Sequence, residues 1–129
     1  MKRNETLENY LETIQILSLN KQGVKAIDIA NYLGYARATV SVTLKELEKD
    51  GYIRLERYNI FLTSKGLKIA NSIYERHEYI AQLLIRLGVD EKTAYTDSCK
   101  VEHDLSTKSF EAIKKATSSL LKNHRWWFF

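Results

Sequence analysis

The sequence predicts a mainly α-helical fold, and three observations carry that prediction. Apolar residues recur at three- and four-residue intervals along most of the 129 residues. There is no proline, so no helix meets an obligatory break. Only residues 52–62 leave the helical period for a strand-like one.

The elements follow in order. Thr6 is the expected N-cap of a first helix, in which Leu7, Tyr10, Leu11, Ile14 and Leu17 repeat with helical spacing. This helix runs to about Leu19, where Asn20-Lys21-Gln22-Gly23 breaks it, and its other face carries Glu5, Glu8, Asn9, Glu12 and Gln15. A short helix spans Ala26 to Leu33 and ends at Gly34 as its C-cap. A third spans Ala36 to Asp50 and is closed by Gly51. Two short helices joined by a tight glycine turn make a helix-turn-helix. Val40, Leu44 and Leu47 are spaced to face its core, which leaves Arg37, Ala38, Ser41, Val42 and Lys45 outward. Tyr52–Glu56 then alternates, Arg57-Tyr58-Asn59 turns, and Ile60–Leu62 returns, so the helix-turn-helix carries a wing. Thr63 or Ser64 caps the longest helix, whose stripe is Ile69, Ile73, Ile80, Leu84 and Leu87, with His77 on the same stripe. Gly88 ends it, Asp90 opens a short helix leading into Cys99–His103, and Ser106 caps a last helix through Phe110, Ile113, Leu120 and Leu121. The tail His124-Arg125-Trp126-Trp127-Phe128-Phe129 is aromatic and suits a core, a dimer surface or a truncation scar equally.

Bulk properties narrow the function. A net charge of +4 and a pI near 9.1 lean towards an anionic partner. No apolar run approaches the roughly 18–20 residues that span a bilayer, and the first residues do not form a secretory signal. A single cysteine forms no internal disulfide, which fits the cytoplasm. The expected localisation is therefore cytoplasmic, away from membranes.

The outward face of the third helix points to double-stranded DNA. A helix meant only for water has no use for Ala38 and Val42 among Thr39, Ser41 and Thr43, whereas small and hydroxylated residues allow close approach to a major groove. Ala36, Ala38 and Val42 suit thymine methyl groups, and Arg37 suits guanine. Thr39, Ser41, Thr43, Lys45 and Lys49 suit phosphates, as do Lys25 beside the helix and Arg54 and Arg57 on the wing. From residue 21 to residue 65, eight basic side chains stand against five acidic ones. That excess of three is modest for a phosphate-dominated interaction.

The second constellation is Cys99-Lys100-Val101-Glu102-His103. On a helix, residues i, i+3 and i+4 share a face, so Cys99, Glu102 and His103 offer soft, hard and borderline donors to one point. Each has a plain alternative: a lone cysteine is usually a small buried hydrophobe, a glutamate a surface charge, and His77 on an apolar stripe a core histidine. Enzyme readings fail. His77-Glu78-Tyr79-Ile80-Ala81 begins like a zinc-protease signature but has Ala81 where the second histidine belongs. Neither a glycine-rich phosphate loop nor a nucleophile elbow is present, so the chain is not expected to be an enzyme.

With these pieces placed, the chain resembles the diphtheria-toxin-repressor family of metal-dependent transcriptional regulators, and in length its manganese transport regulator branch. The resemblance runs from about Thr6 to Ser106 and includes Leu7-Glu8-Asn9-Tyr10-Leu11-Glu12, the winged helix, Leu62-Thr63-Ser64-Lys65-Gly66, Arg76-His77-Glu78, Gly88-Val89-Asp90 and Cys99-x-x-Glu102-His103-x-Leu105-Ser106. It implies a winged helix-turn-helix DNA-binding domain over residues 1–70 and an all-helical dimerisation and metal-binding domain over 71–129. It also implies a sensing site at Asn9, Glu12, His77, Cys99, Glu102 and His103. Two of these positions depart from the manganese branch: Asn9 stands where that branch has aspartate, and Cys99 where it has glutamate. Cysteine at that position is what the iron-dependent branch carries. That branch's auxiliary site needs a glutamate at Ala81 and a histidine at Tyr95, and neither is present. A thiolate favours later, softer ions over Mn2+, and fewer carboxylate bridges favour one principal ion over a pair. The expectation is a homodimeric repressor of metal-uptake genes on a palindromic operator. Fe2+ is its expected corepressor and Mn2+ the next, with Zn2+, Co2+ or Ni2+ able to bind in vitro and no organic cofactor. The alternative is a metal-independent winged-helix regulator that responds to a small molecule or to oxidation of Cys99.

Overall fold

The structure is a computed structural model that describes residues 2–121, with side chains from Glu5 onward. Six helices and one hairpin follow in the order α1 (Lys2–Asn20), α2 (Ala26–Leu33), α3 (Arg37–Lys49), β1 (Ile53–Glu56), β2 (Asn59–Leu62), α4 (Ser64–Arg86), α5 (Glu91–Val101) and α6 (Thr107–Leu121). The fold is mainly α, with a winged helix-turn-helix ahead of an all-helical part. Described residues up to Asn71 form one compact unit and those from Ser72 a second. The aromatic tail from His124 to Phe129 lies outside the described residues.

The first unit is built around Tyr10, Leu11 and Ile14 of α1, Ile29 of α2, Val40, Leu44 and Leu47 of α3, Ile53 and Ile60 of the hairpin, and Ala70 of α4. The outward and inward faces of α3 fall as its periodicity predicts: Val40, Leu44 and Leu47 are buried, while Arg37, Ala38, Ser41, Val42 and Lys45 are exposed. Thr6 is not a cap. The residues before it hold no glycine or proline, so α1 begins at Lys2 and Thr6 lies inside the helix. The start of α2 is organised by Asp28, whose Oδ2 accepts from the Lys25 backbone N–H (2.8 Å) and from Lys21 Nζ (2.7 Å). These contacts hold the Asp28 carboxyl below the usual carboxylate range, the Lys21 hydrogen bond contributing most. Gly34, at φ 75°, closes α2 by donating to Ala30 O.

The wing is a tighter hairpin than the sequence suggests. Ile53 pairs with Leu62 and Glu56 with Asn59, so Arg57 and Tyr58 alone form the loop and Asn59 already belongs to β2. Ile60 N–H donates to Val24 O, which ties the segment ahead of α2 to the hairpin.

The Leu62–Gly66 run joins wing to α4. Of the two cap candidates it is Thr63 that serves, its Oγ1 accepting from Gly66 N–H (3.2 Å) and donating to Gly51 O (2.6 Å). Lys65 Nζ donates to Asp50 O and lies 4.3 Å from the Tyr52 ring centre. Gly66 is forced: a Cβ there would sit 2.1 Å from Tyr52 O, inside any allowed contact.

The second unit packs Tyr79 and Ile80 of α4 against Phe110 and Leu121 of α6. Tyr79 meets Phe110 edge to face at 5.8 Å, and its hydroxyl bonds Thr117 Oγ1 and donates to Lys114 O. Lys114 also pairs with Glu75. Asp90 caps α5 by accepting from Thr93 N–H (3.0 Å), and Ser106 caps α6 by accepting from Ser109 N–H (3.1 Å). Leu87 departs from the predicted stripe: α4 stops at Arg86, and Leu87 is two-thirds exposed in the turn to Gly88.

Candidate metal centre and nucleic-acid interface

The Cys99–His103 run does not lie wholly on a helix. α5 ends at Val101, Glu102 is its C-cap and His103 lies in the following turn. Glu102 keeps helical dihedrals (φ −58°, ψ −33°), so its carboxylate still points to the side on which Cys99 sits. That carboxylate is buried, only 1% exposed.

Around it the second unit gathers nitrogen, sulfur and oxygen donors. His77 Nδ1, from the middle of α4, lies 3.0 Å from Glu102 Oε2, 3.1 Å from Ser98 Oγ and 3.5 Å from Cys99 Sγ. His103 Nε2 lies 3.3 Å from Glu102 Oε1, within ion-pair range but without hydrogen-bond geometry, and Oε1 accepts no hydrogen bond. Burial alone would lower the His77 pKa, but hydrogen bonds with Cys99 and with Glu102 outweigh it and push it up to about 10. A proton on His77 thus compensates the buried carboxylate, and a divalent ion held by His77 would take over that charge.

These residues fit a divalent transition ion. A buried carboxylate oxygen without a hydrogen bond, two imidazoles directed at the same carboxylate and a thiol beside one of them form the donor set such an ion takes. Asn9 and Glu12, the other two predicted ligands, are one turn apart on α1 and both half-buried, within the first unit.

Three residues at this centre were not among the expected ligands. Ser98 is fully buried with Oγ against His77. Tyr95 stacks obliquely on the His77 ring at 5.5 Å, donates to Glu78 Oε2 (2.7 Å) and accepts from Gln82. Burial and the Glu78 carboxylate together push its hydroxyl up to about 12. Arg76, nearly buried, donates to Glu102 O (2.9 Å), Leu105 O (2.6 Å) and Thr107 Oγ1 (3.1 Å), which pins the turn that carries Glu102 and His103. Its one visible signal was adjacency to His77.

The second candidate surface is on the first unit. Of the twelve residues expected at DNA, Lys25, Ala36, Arg37, Ala38, Thr39, Ser41, Val42, Lys45, Lys49, Arg54 and Arg57 are exposed. Thr43 is turned inward instead: it is half-buried, and its hydroxyl donates to Thr39 O (3.1 Å). Among the described residues Arg37, Lys45, Lys49 and Arg57 have no ion pair, so their charges are available to a partner. Arg54 is partly engaged, stacked 4.8 Å from the Phe61 ring centre and 3.3 Å from Glu56. Val42 is 60% exposed on a helix whose other large apolar residues, Val40, Leu44 and Leu47, are buried.

A winged helix with an unpaired basic recognition face, followed by a helical unit in which His77, His103 and the exposed Cys99 surround the buried Glu102 carboxylate, defines a metal-responsive DNA-binding regulator. The chain belongs to the iron-dependent repressor family. Residues 3–60 match that family's N-terminal DNA-binding domain and residues 63–127 its metal-binding and dimerisation domain. The HTH-type transcriptional regulator MntR of Lysinibacillus sphaericus is 34% identical over 92% of this chain and 86% of its own length. Among solved structures, IdeR of T. acidophilum superimposes with a TM-score of 0.75 at 25% identity, over 86% of this chain and 53% of that one. A manganese-dependent transcriptional repressor in complex with manganese gives a TM-score of 0.75 at 20% identity, over 88% of this chain and 52% of that one, and shares the fold. The DNA partner and homodimer formation accord with the two matched domains. Among the described residues no helix is long and apolar enough to cross a membrane.

Proposed function

We propose that this chain is a metal-activated repressor whose corepressor is Fe2+, with Mn2+ next, and whose targets are metal-uptake genes. The observation that carries the metal preference is Cys99 Sγ, 3.5 Å from His77 Nδ1 at the edge of the Glu102 carboxylate. A thiolate donor moves preference away from Mn2+ towards softer ions, and Zn2+, Co2+ and Ni2+ would follow in vitro. His77, Cys99, Glu102 and His103 hold the ion, and the family resemblance adds Glu12 and Asn9. A bound divalent cation supplies the positive charge that replaces the proton on His77 and balances Glu102.

Ligands drawn from α1 as well as from the second unit make metal affinity depend on how the recognition helices are presented. In a homodimer, two such helices match half-sites separated by roughly 34–36 Å, one turn of DNA, or by a multiple of it, so the operator is palindromic. Arg37, Ala38 and Val42 read bases there, with Ala36 beside them, while Lys25, Thr39, Ser41, Lys45, Lys49, Arg54 and Arg57 meet phosphates. The link to uptake genes rests on the family resemblance.

Titration of duplex DNA from the region upstream of the chain's own coding sequence, with each metal in turn, tests this reading. Binding should appear with Fe2+ or Mn2+ and vanish on chelation; equal binding without metal would remove the corepressor role. His77→Ala should abolish the metal response with helicity retained. Cys99→Glu should shift the ranking towards Mn2+, and an unchanged ranking would take Cys99 out of the selectivity argument.

A further inference from the structure

The tip of the wing holds a residue that neither folding nor the proposed phosphate contacts explain. Arg57 and Tyr58 form the two-residue loop with both φ angles positive, 49° and 71°. That geometry favours Asn-Gly, and an aromatic side chain in it is held against its backbone preference. Tyr58 gains nothing in return from the fold, for it is 88% exposed. A strained backbone carrying a large, unburied aromatic points to a contact outside the chain.

Beside Tyr58 is a concavity of about 450 Å³, walled by α2, α3 and the hairpin. Tyr58 lines it together with Lys25, Arg37 and Lys45, over an apolar floor that includes Leu44, Leu55 and Ile60. No carboxylate lines it. Three cations around an apolar floor complement a nucleic-acid strand, whose charged phosphates alternate with the C–H surface of its sugars. The cavity is continuous with the recognition face, since Arg37, Ser41 and Lys45 belong to both.

We propose that Tyr58 packs against a deoxyribose of one DNA strand lying along this concavity, with the adjoining phosphates held by Lys25 and Lys45. This rests on the DNA-binding reading above and adds to it a sequence-independent anchor at the wing tip. Tyr58 contributes affinity for any duplex and no base preference.

The test uses the full-length chain, saturated with Mn2+ at fixed salt, and two duplexes: one from the region upstream of its coding sequence and one unrelated of equal length. Tyr58→Gly relieves the positive φ, so its thermal midpoint should rise, while affinity for both duplexes falls about tenfold, the loss of one good contact. Tyr58→Phe, which keeps the ring, should retain most of the affinity. A merely structural Tyr58 cannot raise stability and lower binding in the same variant. Unchanged affinity in Tyr58→Gly overturns the proposal alone. A loss confined to the upstream duplex also overturns it, because that would make Tyr58 a base reader. A wild-type chain that binds neither duplex overturns the DNA-binding reading and this proposal with it.

Discussion

On α3 of the first unit, Arg37, Ala38, Ser41, Val42 and Lys45 stand in solvent, and Arg37 and Lys45 form no ion pair among the described residues. In the second unit, Glu102 and Ser98 are buried and His77, Cys99, Glu102 and His103 are engaged with one another. The difference follows from the ligands each would serve. A DNA duplex brings its own charges and solvent-sized irregularities, so the surface that meets it keeps free donors and small side chains. A divalent ion concentrates its charge at one point, and only a prearranged donor set around a buried carboxylate converges on it. Function and stability should therefore separate in the first unit and be entangled in the second.

The largest test of that contrast is Arg76→Met. Removing a nearly buried guanidinium leaves Glu102 O and Leu105 O without their donor, and such losses cost on the order of 3 kcal/mol. Chemical denaturation should show this, and metal affinity should fall along with it; a variant as stable as wild type would mean that the turn holds itself. Next is Gly66→Ala, where the added Cβ collides with Tyr52 O and forces backbone movement costing about 2 kcal/mol. Its midpoint should drop although Gly66 touches no proposed ligand, and an unshifted midpoint would show that the α4 start is free to relax.

Arg37→Ala should reverse the pattern. Affinity for DNA should fall about tenfold while unfolding stays within about 0.5 kcal/mol of wild type, as for a solvent-facing residue. A comparable loss of stability would break the contrast between the units. The smallest effect is Asp28→Asn at the start of α2. The folded-state pKa of Asp28 is lowered, so its contribution is present above the unfolded value of 3.8 and is lost as pH falls through the folded value. At neutral pH, with solvent screening the Lys21 pair, the variant should be less stable by about 0.5 kcal/mol. That difference should disappear in acid, and one that persists would place the effect on the helix start rather than the charge.

The sequence by itself determined the helices, most of their caps, the wing and the outward face of α3. Those features depend on interactions within a few residues, such as Thr93 N–H to Asp90 or Ser109 N–H to Ser106. Periodicity also separated Val40, Leu44 and Leu47 from Arg37 and Val42 without any knowledge of the partner element. Thr43, included at the DNA surface for its hydroxyl rather than by periodicity, is half-buried because of the packing of α3 within the first unit. Local spacing grouped Cys99, Glu102 and His103 and the family resemblance completed the set with Asn9, Glu12 and His77, but nothing local revealed that Glu102 is buried, that its Oε1 lacks a hydrogen bond, or that Ser98 and Arg76 serve the same centre. Only the tertiary structure decided these points. Arg76 and Glu102 are 26 residues apart and His77 and Ser98 are 21 apart, so they meet only because α4 and the end of α5 pack together. The desolvation that pulls a cation, proton or metal, towards Glu102 exists only once that packing has excluded water.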